Sequence, residues 1–205
     1  MSGGAWRRWT CVLCVCACAS AFNIDLGGSH VTHVSDQDGS MFGFAVAQHL
    51  DRGLARLLVG APRYETDQRA RGVRRAGAVL SCDPLVPNLC TYVPFDKNGN
   101  NVHPLGQQLD SKSDQWFGAT LSSSGPDGVV VACAPRYVWF SEKLSRRDPV
   151  GTCYVARKGL TDFQEFSPCR TRHWGYHRQG SCQAGFDAAI TEDGSRMFIG
   201  APGAF

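Results

Sequence analysis

The fold is decided by Trp116-Phe117-Gly118-Ala119-Thr120-Leu121 and the run that follows the Gly125-Pro126-Asp127-Gly128 turn, Val129-Val130-Val131-Ala132-Cys133-Ala134-Pro135. Two apolar segments of strand length flank a turn signal, with glycine opening the first and Ala-Pro closing the second. The pattern occurs twice more. Met41-Phe42-Gly43-Phe44-Ala45-Val46 precedes Leu57-Leu58-Val59-Gly60-Ala61-Pro62 across Asp51-Arg52-Gly53. Ala184-Gly185-Phe186-Asp187-Ala188-Ala189-Ile190 precedes Met197-Phe198-Ile199-Gly200-Ala201-Pro202 across Glu192-Asp193-Gly194. Successive Ala-Pro pairs lie 73 and 67 residues apart. A period near 70 is long for a solenoid and suits a four-stranded propeller blade with generous loops. Each unit reads as a hairpin of two buried strands. Small residues at Gly43, Gly118 and Gly185 permit close backbone approach, and proline ends the second strand because it has no N–H to donate.

Further strands are expected at Ala76–Leu80 and Gly151–Val155. The 23 glycines and 10 prolines punctuate the 205 residues too often for a helix of any length. The expected fold is all-β: a partial β-propeller of about two and a half four-stranded blades. Its repeats fall at about 32–105, 106–172 and 173–205, within a 22–205 segment.

Residues 1–21 have the parts of a secretory signal peptide: Arg7 and Arg8, an apolar stretch from Thr10 to Ala19, and the Ala19-Ser20-Ala21 cleavage pattern. The stretch is too short for a membrane span, which needs about 20 apolar residues. Hydrophobic residues make up 43% of the chain and charged residues 19%, which excludes a disordered tail. The net charge of +3 includes Arg7 and Arg8, so the rest is nearly neutral and gives no electrostatic case for nucleic acid.

A secretory route makes disulfides the default for Cys82, Cys90, Cys133, Cys153, Cys169 and Cys182. Six cysteines allow 15 pairings. Nearest-neighbour bridges 82–90, 133–153 and 169–182 are favoured because each closes a short loop between strands. Cys169, His173, His177 and Cys182 also have a spacing that offers four zinc ligands. Gly175 between the histidines and the even cysteine count favour a disulfide-closed loop, so no metal is assigned.

Taken together, these segments resemble the FG-GAP repeats of integrin alpha chains. The resemblance extends to Phe22-Asn23-Ile24-Asp25, Asp114-Gln115-Trp116-Phe117-Gly118-Ala119, Ala132-Cys133-Ala134-Pro135-Arg136-Tyr137, Pro149-Val150-Gly151-Thr152-Cys153, Ser167-Pro168-Cys169-Arg170 and Cys182-Gln183-Ala184-Gly185. It implies the start of a seven-bladed propeller in an extracellular adhesion-receptor subunit, paired with a beta subunit as a heterodimer and binding an extracellular-matrix protein. The implied location is the cell surface, as part of a full-length type I membrane protein. The family's local disulfide pattern agrees with the nearest-neighbour pairs. The interval from Pro135 to Ala184 leaves no room for the inserted domain of some members. Gln115–Gly118 and Pro149–Cys153 look most like the subgroup that binds Arg-Gly-Asp peptides.

Seven blades at about 65 residues each would need roughly 450 residues. The sequence is therefore expected to be a fragment or a truncated, soluble, non-signalling product. The resemblance also implies residue roles. Phe44 and Trp116 match an aromatic cage that receives a beta-subunit residue, by a cation over ring faces. Tyr137, Val138 and Trp139 follow the second Ala-Pro on a loop presented to ligand. Where relatives that bind Arg-Gly-Asp carry an acid, this chain has Ala189, with Asp187 two residues away on the same strand face.

Other motifs read more plainly. Asp96-Lys97-Asn98-Gly99-Asn100 imitates a calcium loop but lacks evenly spaced carboxylates, so a turn is expected. Calcium is expected only in later blades of a full-length relative. Arg69, Arg71, Arg74 and Arg75 beside Asp67 read as a solvated loop face, with a heparan-like partner as the alternative. No Gly-x-Ser-x-Gly, His-Glu-x-x-His or phosphate loop is present, and no enzymatic activity is expected. A propeller domain of another secreted protein is the competing class.

Overall fold

The computed structural model describes residues 28, 30–140, 146–170 and 179–204. The expected signal peptide, the Phe22-Asn23-Ile24-Asp25 start and both histidines of the zinc-like spacing lie outside them. Contacts divide the chain into Met1–His30 and Val31–Phe205. In the first unit Gly28 and His30 are described, both exposed.

The first blade is an antiparallel meander of β1 (Ala45–Asp51), β2 (Leu54–Ala61), β3 (Ala78–Cys82) and β4 (Cys90–Tyr92), hydrogen-bonded in that order. The chain continues with β5 (Asp110–Ser111), β6 (Thr120–Ser123), β7 (Val130–Ala134), β8 (Val138–Phe140), β9 (Arg147–Asp148), β10 (Thr152–Arg157) and β11 (Asp162–Phe166). The sheet of the second blade runs β6-β7-β10-β11, while β8 and β9 leave the meander and pair with β5 in a separate three-stranded sheet. The third unit contributes the hairpin of β12 (Asp187–Ile190) and β13 (Met197–Gly200). The described chain is thus all-β with several antiparallel sheets that do not close into a barrel.

The repeat is visible in single hydrogen bonds. Gly43, Gly118 and Gly185 have φ of 88°, 88° and 92°. Two residues before each, Met41, Trp116 and Gln183 are also left-handed, at 59°, 62° and 52°. The three glycine N–H groups donate to the carbonyls of Gly60, Cys133 and Gly200, each at 3.0 Å. Glycine tolerates that φ because it has no Cβ, whereas the residue two before it adopts the region at a steric cost.

Blades meet through the same device. Gly77 bridges in parallel to Phe117, and Gly151 to Ala184. A Cβ at Gly118 would strike the carbonyl oxygen of Ala78. Behind these contacts a chain of rings crosses from blade one to blade two: Phe95 to Phe117 at 5.3 Å, Phe117 to Tyr154 at 5.5 Å and Phe95 to Phe163 at 5.1 Å. Such pairs contribute about 0.5–1.5 kcal/mol each beyond area burial.

Three differences from the sequence reading emerge. The first strands of the hairpins are not buried on both faces: β1 alternates between exposed and half-buried over Ala45–Gln48, whereas β7 is buried throughout. β1 lies at the end of its sheet and has one strand neighbour, while β7 has two. A 3-10 helix, Asp67–Arg71, occupies a loop where no helix was expected; Thr66 caps it and Gly72 ends it in the left-handed region. The segment after the second Ala-Pro, expected as a loop, is strand β8.

His49 is 4% exposed on β1, and its Nδ1 lies 2.9 Å from Ser123 Oγ on β6. Burial lowers its pKa from the ordinary 6.5, against Asp51 and Asp127, which raise it. The neutral ring is therefore favoured in the fold, so its contribution is complete above pH 6.5 and is lost as pH falls through 6.5 toward the lowered folded value. Thermal melts of wild type and His49→Gln should diverge above pH 6.5 and converge in acid. Parallel pH profiles would refute the role.

Candidate functional site

The three bridges join nearest neighbours. Cys82–Cys90 links facing residues of β3 and β4, and Cys133–Cys153 links facing residues of β7 and β10, each with Cα atoms 4.0 Å apart. Cys169–Cys182 spans 6.2 Å and ties the end of the second blade to the start of the third. With both sulfurs bonded to each other, this pair has no thiolate to offer zinc. The same holds for the one metal-capable trio among the described residues, His33 with Cys82 and Cys90.

Phe44 and Trp116 come together at the boundary between blades, ring centroids 5.7 Å apart and edge to face. Phe44 follows the left-handed glycine of its repeat, and Trp116 precedes that of the next by two. Phe44 is 48% exposed and Trp116 half-buried. One face of Trp116 already carries a cation: the Arg136 guanidinium lies 5.1 Å from its centroid. Phe186 holds the place in the third repeat that Phe44 holds in the first, and it too is exposed, at 66%.

Tyr137 corrects the sequence reading. It is fully buried, not presented to ligand. Its hydroxyl donates to Asp110 Oδ2 at 2.8 Å and accepts from Arg170 Nη1 at 3.1 Å. Burial and the Asp110 carboxylate push its pKa up, so the phenol stays protonated. Asp110 is also fully buried; its oxygens accept from the Asn101 backbone N–H at 2.7 Å and from the Asn101 side chain at 2.5 Å. Burial raises the Asp110 pKa, opposed by these hydrogen bonds and by Lys112. Arg170 in turn makes a two-bond pair with Glu165, at 2.9 and 3.0 Å, and lies over Trp139 at 5.2 Å. Sequence reasoning missed this network because its members are far apart in the chain. The segment it braces presents Trp139, half-buried on β8 opposite Asp110 and Asp148.

Asp187 and Ala189 are both exposed on β12 and flank buried Ala188, so they share a face as the two-residue period requires. They belong to the third repeat, whereas the aromatic pair joins the first to the second. In the Asp96–Asn100 segment Asp96 Oδ1 accepts from the Asn98 N–H at 2.9 Å, and Oδ2 pairs with the buried Lys112 ammonium at 2.7 Å. Among the described residues no helix is long and apolar enough to cross a membrane.

No protein-family model matches the chain. It is similar to integrin alpha-PS2 of Drosophila melanogaster, 46% identical over 204 residues, covering 95% of this chain and 14% of that protein. Integrin alpha-5 of Xenopus laevis is 44% identical over 82% of this chain and 16% of its own length. Human integrin alpha-8 is 41% identical over 90% of this chain and 17% of its own length. The chain thus spans less than a fifth of the length of these relatives.

Proposed function

We propose, from the premise that the chain belongs to the integrin alpha family, that it forms the first blades of an adhesion-receptor alpha subunit. In this reading it grips a beta subunit through the Phe44–Trp116 pair and turns Trp139 and Asp187 toward an extracellular-matrix protein. The mature protein works at the cell surface without catalytic activity, and calcium loops belong to later blades. The observation that carries the reading is the exposed Phe44 ring set edge to face with Trp116 across a blade boundary. A solvent-facing aromatic pair on a rigid β-scaffold is a surface suited to a partner's cation or apolar side chain.

Asp187 supplies a carboxylate on the exposed face that also bears Ala189. It is offered as the partner of a ligand guanidinium, because an exposed carboxylate can accept both of its forked donors.

The test uses the full-length chain co-expressed with a beta subunit. Phe44→Ala with Trp116→Ala should lower the surface heterodimer about tenfold, as expected for loss of two cation–aromatic contacts of about 0.5–2 kcal/mol. Asp187→Ala should leave the heterodimer intact and reduce adhesion to Arg-Gly-Asp peptide. Undiminished heterodimer in the first variant, or unchanged adhesion in the second, would remove the corresponding role.

A further inference from the structure

The basic loop that the sequence presents as a solvated face is fixed by hydrogen bonds and carries more cations than acids. Thr66 Oγ1 accepts from the Gln68 N–H at 3.3 Å, and Gly72, at φ 81°, closes the 3-10 helix by donating to the Arg69 carbonyl. Gln68 is 2% exposed and donates to the Asp96 carbonyl at 2.6 Å; Val73 is 1% exposed. Between and just beyond these anchors Arg69, Arg71 and Arg74 face solvent. The Arg71 guanidinium donates to the Lys97 carbonyl, which sets exposed Lys97 against the same loop.

The neighbouring carboxylates are engaged elsewhere. Asp96 pairs with buried Lys112 at 2.7 Å, and Asp114 pairs with Arg75 at 2.9 Å. Glu65 accepts from the Arg75 N–H at 2.9 Å. What remains at the surface is Arg69, Arg71, Arg74 and Lys97 against Asp67 and half-buried Glu65, whose charge a backbone N–H does not neutralise.

We infer that this loop of the first blade, with Lys97, binds a sulfated polysaccharide. Several separated cations on a fixed frame match an anionic polymer whose sulfates are spaced along a flexible chain, and a guanidinium fork donates to two oxygens of a sulfate at once. The loop carries no large apolar side chain between Thr66 and Arg71 that would enter a bilayer. The inference does not depend on the adhesion reading.

The probe is heparin, with the full-length chain in complex with its beta subunit. Wild type should be retained at about 0.15 M salt and elute as ions screen the contact. Arg69→Gln with Arg74→Gln and Lys97→Gln should elute at lower salt and weaken binding about tenfold, a loss of screened surface attraction. Arg71 is kept because it holds the Lys97 carbonyl. Arg157→Gln with Lys158→Gln, exposed at the β10–β11 turn and not part of the loop, should elute with wild type. Flow-through of wild type at about 0.15 M, or co-elution of the triple variant with it, would overturn the proposal. Preference for anionic vesicles or duplex DNA over heparin would overturn the polysaccharide assignment. Equal thermal stability of the triple variant excludes unfolding as the cause.

Discussion

Gly118→Ala is expected to cost about 3–5 kcal/mol, near the upper end for single substitutions, and to lower the melting temperature by about 10 °C. Two penalties coincide there. At φ 88° an L-residue is strained, by about 1–2 kcal/mol. Its Cβ would also collide with the Ala78 carbonyl oxygen and lie 3.2 Å from the Gly60 Cα, both backbone atoms of the preceding blade that cannot rotate away. Gly53→Ala isolates the first penalty: Gly53 has φ 79° in the β1–β2 turn, with no atom within 4 Å of the added Cβ. It should cost about 1 kcal/mol. Thermal unfolding of both variants in the full-length chain decides the matter. Equal losses would mean that blade one does not press on Gly118, and the packing of the two blades described above would be wrong.

Asp110→Ala carries the second large effect, about 3 kcal/mol. It strands the Asn101 N–H and the Tyr137 hydroxyl proton in a buried place, each an unsatisfied donor costing about 1–3 kcal/mol. Asp110→Asn keeps one acceptor oxygen and should cost about half as much. The damage should also be local. β5 is held to β8 opposite Trp139, so loosening it should let the already exposed Arg146–Arg147 segment unfold locally and be cut by trypsin before the blades melt. A variant that melts earlier but gains no cleavage there would show that Asp110 supports the blades, not the small sheet.

Particular residues show where sequence reading ends. The hairpins were legible because turn residues and apolar runs are local, and the register of β1 with β2 and β6 with β7 follows from them. Nearest-neighbour bridges were legible because Cys82 with Cys90, and Cys133 with Cys153, face each other on adjacent strands. Tyr137 was misread because an aromatic after Ala-Pro looks the same exposed or buried; its burial depends on Asp110, 27 residues earlier, and Arg170, 33 later. Arg69, Arg71 and Arg74 are exposed as the sequence reading expected, but the sequence does not show that Asp96 and Asp114 pair their charge with Lys112 and Arg75.

What the sequence determined alone is the repeating unit: its hairpin strands, its glycines and its family, all set by residues close in the chain or by pattern at a fixed period. The tertiary structure decided which charges are neutralised, which aromatics stack and which loop is braced. These depend on groups tens of residues apart meeting in a medium where burial makes every unpaired charge or hydrogen-bond donor costly.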